Sequence, residues 1–211
     1  MPQSYRHTLL VLAVFLQIFF GLNLTGYSVT AAENREFDSK VVHLGKEIAN
    51  KFLSNLMESL ENVISNQGTA KAVAVYKEKV DEITRMIKND LNNKDIGIKL
   101  LSPRYRDVEN SPDYYEEQAY QDFQKVWKDT GRYPPYVIQE IRRNGRVLYR
   151  YYEPLYVKRL CLKCHGTLES LDIEAVKCIR QEHPNDNAVG YKLGDLRGFI
   201  RITIPQTFIA Q

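Results

Sequence analysis

A change of hydrophobic period partway along the chain constrains its fold more than any other feature. From Phe37 to Ile64 the apolar residues Val41, Leu44, Ile48, Phe52, Leu56, Leu60 and Val63 recur every three or four positions, the period of an amphipathic helix. Asp38 and Ser39 are expected to cap its start. After an interruption at Asn66, Gln67 and Gly68, the stripe resumes with Val73, Tyr76, Val80, Ile83, Ile87 and Leu91 and ends in the polar run Asn92 to Asp95. Gly68 leaves open two helices or one long bent one. Asp113 to Asp129 reads as another helix, carrying Phe123 and Trp127, after a turn-rich loop from Ser102 to Pro112. The period then shortens to two. Tyr136 to Arg143 and Arg146 to Tyr152 flank Asn144-Gly145, a strong type I′ hairpin signal, and a last strand is expected from Gly198 to Ile204. Helices first and antiparallel strands afterwards predict an α+β fold and argue against alternating βαβ units.

The start of the chain reads differently. Arg6 and His7 precede an apolar run from Leu9 to Leu24, and small residues then lead to Ala31 and Ala32. A positive start, a short apolar segment and an alanine-ended exit predict a signal peptide over residues 1–32, cut after Ala31 or Ala32. An uncleaved membrane anchor is the weaker alternative, because the run falls short of the ~20 residues of a spanning helix. Both readings export the rest of the chain. The net charge of +3 falls by one when Arg6 is removed. With no basic stripe interleaved with aromatics, nucleic-acid binding is not expected.

Between the hairpin and the last strand lies Cys161-Leu162-Lys163-Cys164-His165-Gly166, the attachment sequence for c-type haem. The spacing follows from the chemistry: two thiols add to the two vinyl groups of the porphyrin, and the adjacent histidine is held beneath the iron. A zinc site would want more thiolate or imidazole ligands, and only Cys178 remains. A thioredoxin-like dithiol would open a helix after a parallel strand, a context missing here. Cys178 is left as a small buried residue, half of an intermolecular disulfide, or a sulfur ligand.

The iron's sixth position decides between electron transfer, sensing and catalysis. His43 falls about 200° from Val41 on a helical wheel at ~100° per residue, opposite the apolar stripe, and His183 sits beside Pro184 in a polar loop. Met57 and Met86 lie on helices, where methionine is mostly core filler. Tyr76 lies mid-stripe on the second helix, as a core aromatic would.

Further residues carry a family resemblance. They are Gly68 with the helix after it; Ser102, Arg106, Asn110, Pro112 and Glu116; Pro154-Leu155 before the Cys161–Gly166 motif; and Pro184-x-Asp186-x-Ala188-x-Gly190-Tyr191-x-x-Gly194-Asp195-x-Arg197-Gly198 after it. Over roughly residues 37–205 the chain resembles a bacterial family of single-haem c-type proteins with a PAS-like fold, found as free periplasmic proteins and as outer parts of membrane histidine kinases and chemoreceptors. The resemblance implies a helical region at 33–95 packed on a five-stranded antiparallel sheet within a haem-binding domain at 96–211. In some relatives the helix after the glycine supplies a cysteine to the iron; the corresponding position here holds Tyr76, a candidate distal ligand. Asp107 stands where relatives commonly have asparagine. Arg106 is a candidate partner for a haem propionate, since guanidinium pairs bidentately with carboxylate, and a loop-fixing salt bridge is the alternative.

The expected function is a periplasmic monohaem c-type cytochrome that senses redox state or a small gaseous ligand and passes the result to a redox partner or membrane receptor. A soluble electron-transfer cytochrome is the alternative. A haem enzyme acting on peroxide or nitrogen oxides comes third, because no distal His and Asn pair is evident. The long helix makes a homodimer a reasonable expectation.

Overall fold

The structure is a computed structural model that describes residues 31–210, with side chains from Phe37 onward. The expected signal peptide lies almost wholly outside the described residues. Among those described, no helix is long and apolar enough to cross a membrane.

Helix α1 (Ala31–Gln67) begins earlier than expected and runs straight through Asp38 and Ser39. The preceding Ala31-Ala32-Glu33-Asn34-Arg35-Glu36 is mostly strong helix former, so a capping residue there does not start a helix already under way. Gly68, at φ 83°, ends it by taking a backbone shape that side-chain-bearing residues avoid. Helix α2 (Thr69–Asp90) then folds back. Lys51 Nζ lies 2.6 Å from Asp90 Oδ2, joining the middle of α1 to the far end of α2, so the pair is an antiparallel hairpin and not one bent helix.

Four strands form one antiparallel sheet in the order β1-β4-β3-β2, with β1 Gly97–Leu101, β2 Val137–Arg143, β3 Arg146–Tyr156 and β4 Leu196–Pro205. The hairpin turn is as expected, with Asn144 and Gly145 both at positive φ. The five-stranded sheet is corrected to four strands among the described residues. After β1 the chain enters bends at Pro103 and a single 3-10 turn, Val108–Asn110, capped by the Asp107 carboxylate accepting from Glu109 N–H. Two prolines and this local turn chemistry compete with strand pairing on the outer edge of β1.

Alternation along β4 divides the interior. Ile200, Ile202 and Ile204 join Tyr149 and Tyr151 of β3 against α1, in a core completed by Val41, Ile48, Phe52 and Leu56. The other face, through Phe199 and Tyr152, meets Ala119 and Phe123 of helix α3 (Tyr114–Thr130). Asp113 and Glu116 form a capping box at the start of α3. The Glu116 carboxylate is fully buried and bridges Lys99 of β1 and Arg201 of β4. The segment between β3 and β4 supplies short helix α4 (Leu162–His165) and helix α5 (Ile173–Glu182), both packed on α2, and a return loop (183–195) whose Val189 joins the cluster of Val73 of α2. A last turn, α6 (Gln206–Ile209), closes the main core.

Candidate haem site

Cys161, Cys164 and His165 lie on one helical turn. Cys161 precedes α4, and His165 N–H donates to the Cys161 carbonyl at 2.9 Å. All three cysteines, Cys161, Cys164 and Cys178, are unbridged. Gly166 must be glycine for space: a β-carbon there would lie 2.7 Å from Ser170 Oγ and 2.8 Å from the Leu162 carbonyl oxygen.

The return loop holds the turn from outside. Gly190 N–H donates to Gly166 O at 2.7 Å and Tyr191 N–H to His165 O at 2.9 Å. His165 Nδ1 lies 2.7 Å from the Ala188 carbonyl. A carbonyl can only accept, so Nδ1 carries the proton and Nε2 keeps a free lone pair, the arrangement of metal-ligating histidines. Burial, followed by the Arg197 and Arg106 charges, holds the His165 imidazole well below its usual 6.5. It is neutral at physiological pH, as a ligand must be.

Arg106 closes a ring around this contact. Its Nη2 donates to the Cys164 carbonyl at 2.7 Å and to Asp186 Oδ2 at 3.0 Å, while Asp186 Oδ1 accepts from Ala188 N–H at 2.8 Å. The same aspartate therefore steadies both the arginine on the cysteine turn and the peptide beside the carbonyl that orients His165. Of the two readings of Arg106, the salt bridge is what these contacts form.

Helix α2 packs on α4 and α5, and its Tyr76 is half-buried and packs on the main core. Its hydroxyl is within electrostatic reach of Arg197, Arg106, Cys161 and Cys164; burial pushes it up to about 12, with the two arginines pulling the other way. Without iron beside it, Tyr76 is a neutral phenol. Cys178 packs with Cys164 against Val73, Leu171 and Ile179, and burial, then Glu182, raises its thiol. This is the setting of a small apolar residue. His43 points to solvent, 86% exposed beside Glu47, and Met57 packs on the main core.

Residues outside the expected set complete the site. Tyr191 is buried, edge-on to His165 at 6.2 Å, with the Arg104 and Arg197 guanidinium groups 4.2 and 5.2 Å from its ring centre. The signal for Asp186, Ala188, Tyr191 and Arg197 was the tail pattern itself, which gives positions without roles.

The donor set fits a c-type haem: two adjacent free thiols, and a neutral imidazole with one nitrogen pinned and the other open. Among the described residues, no three His, Cys, Asp or Glu side chains gather as a metal-ion cage.

No curated protein matches the sequence. The crystal structure of the cyanobacterial heme-protein Tll0287 is similar to this chain, with a TM-score of 0.51 at 20% identity, over 84% of this chain and 97% of that one. At that identity the likeness speaks for the fold, an α+β arrangement consistent with the PAS-like expectation. The sequence pattern of the Tll0287-like family matches residues 40–205; spanning most of the described chain and the whole site, that match makes this protein a member of the Tll0287-like family.

Proposed function

We propose that this chain is an exported, periplasmic single-haem c-type protein that senses redox state or a small gaseous ligand. Cys161 and Cys164 would form the thioether bonds, His165 Nε2 would bind the iron, and Tyr76 would occupy the opposite face. When bound, the haem supplies a one-electron centre that can also take a diatomic ligand. The observation that carries this reading is His165 Nδ1 held on the Ala188 carbonyl one turn from two free thiols. The family's heme-protein Tll0287 supports it.

Sensing is preferred over simple electron transfer because of Tyr76. A neutral hydroxyl on the helix that packs beside the motif would donate a hydrogen bond to a small ligand on the iron, or yield its proton and bind ferric iron directly. Either role ties the distal face to the iron's oxidation or ligand state. A redox protein or a membrane receptor would receive the signal, and a second copy of the chain could assist through α1.

Optical and electron paramagnetic resonance spectra of wild type and Tyr76→Phe, ferric and ferrous, with and without carbon monoxide, test the proposal. The expected result is a changed ferric spectrum or altered carbon monoxide affinity in the variant. Two proteins with the same spectra, both six-coordinate in each oxidation state and inert to carbon monoxide, would replace sensing with electron transfer.

A further inference from the structure

Among the described residues, four arginines bury a side-chain Nε that has no hydrogen-bond partner: Arg106, Arg150, Arg197 and Arg201. Three of the four carry a carboxylate elsewhere on the guanidinium. Arg106 has Asp186, Arg150 has Asp113, and Arg201 has Glu116. Arg197 has none. Its Nη1 donates to the Arg104 carbonyl at 3.1 Å, and its guanidinium lies against Tyr191, a further but uncharged partner. Arg197 is half-buried as a residue, but its Nε is sealed from water, and a buried donor on a cation without a counter-ion is costly.

The charge around Arg197 sharpens the point. Arg104, Arg106 and Arg197 gather beside His165 and Tyr191, and Asp186 is the only carboxylate ion-paired with any of them among the described residues. Arg104 spends its donors on the Asn187 and Val189 carbonyls, and Arg106 on Asp186 and the Cys164 carbonyl. The excess is two positive charges, which matches the two propionates of one haem. Arg106 and Arg197 both bury an unpartnered Nε, but Arg106 already carries the Asp186 carboxylate, whereas Arg197 carries none among the described residues.

We propose that Arg197, and not Arg106, is the residue that anchors a haem propionate, through the Nε edge of its guanidinium. The proposal rests on the haem reading above. A guanidinium edge binds a carboxylate by two parallel hydrogen bonds, which would satisfy Nε and neutralise the charge at once. Arg106 then serves as the clamp on the cysteine turn.

The test uses haem-loaded protein: wild type, Arg197→Gln, Arg197→Lys and, as a control on the exposed side of α5, Arg180→Gln. Infrared difference spectra across pH read propionate protonation, and redox titration reads the reduction equilibrium. In wild type one propionate should stay ionised below the ordinary range near pH ~4.3. Arg197→Gln should return that protonation to the ordinary range. Losing a positive charge beside the haem should also shift the equilibrium roughly tenfold toward ferric iron, which is about 59 mV for one electron. Arg197→Lys should restore most of the potential, and Arg180→Gln should change neither reading.

Two wild-type propionates that both protonate in the ordinary range would overturn the proposal, even if Arg197→Gln fails to accumulate. Transfer of the whole effect to Arg106→Gln would overturn it as well. Purified protein without haem would count against the haem reading instead, which keeps the two failures apart.

Discussion

Removing the Glu116 carboxylate tests how the sheet and α3 are joined. The side chain is 0% exposed. It accepts from Lys99 Nζ and from the Asp113 backbone N–H, both at 2.7 Å, and from Arg201 Nη1. Lys99 and Arg201 face each other across the β1–β4 pairing, with side chains 21% and 14% exposed. Glu116→Ala leaves both cations without their shared counter-ion and breaks the capping box. Deleting one partner of a buried ion pair costs about 3–5 kcal/mol. At roughly 2–4 °C per kcal/mol for a chain of this size, the midpoint should fall by roughly 6–20 °C. Glu116→Gln, which keeps the shape and one acceptor, should lose less, and the exposed neighbour Glu117→Ala almost nothing. Thermal and urea unfolding followed by circular dichroism would decide. A loss under about 1 kcal/mol for Glu116→Ala would refute the reasoning, since the two cations would then have to be solvated or paired elsewhere.

Gly45→Ala should destabilise by at least about 1–3 kcal/mol, although alanine is the better helix former, because the new β-carbon would lie 2.6 Å from Tyr151 Cβ; a more stable variant in urea would show that α1 can shift on the sheet. Burial pushes the Asp113 carboxyl up, but Arg150 and the Glu116 N–H outweigh it and hold it below 3.8. A depressed folded-state value stabilises above the unfolded one and is lost as pH falls through the folded one. Wild type and Asp113→Asn, which keeps the cap, should therefore differ in urea midpoint at pH 7 and converge well below pH 3.8; a gap unchanged by acid would contradict this. Asp186→Ala strips Arg106 of its carboxylate and the Ala188 N–H of its acceptor, and should cost about 3–5 kcal/mol. In haem-loaded protein it should also broaden the ferric paramagnetic resonance spectrum, as His165 loses its fixed orientation; an unbroadened spectrum would remove Asp186 from that role.

Much of this architecture could be read from residue patterns because it repeats. The α1 and α2 stripes, the Asn144-Gly145 turn and the alternation in β4 each follow from a period or a fixed dipeptide. What escaped has no period. β1 is only five residues, Gly97–Leu101, too short for alternation to stand out, and α5 follows a polar loop whose Asp172 cap becomes evident only with the geometry. At the site, the Cys161–His165 spacing is chemistry written in adjacent residues. Arg106 and Arg197, by contrast, lie 91 positions apart in numbering, and their roles depend on which one meets Asp186. Only the folded chain decides that.

The proposed function stands on covalent haem at Cys161 and Cys164. Protein produced by export in a host that matures c-type cytochromes, digested and weighed by mass spectrometry, tests it directly. The peptide containing Cys161 to His165 should carry the added mass of one haem, with Cys178 unmodified. Recovery of that peptide with both thiols free or joined as a disulfide, and no haem retained after acid extraction, would contradict it.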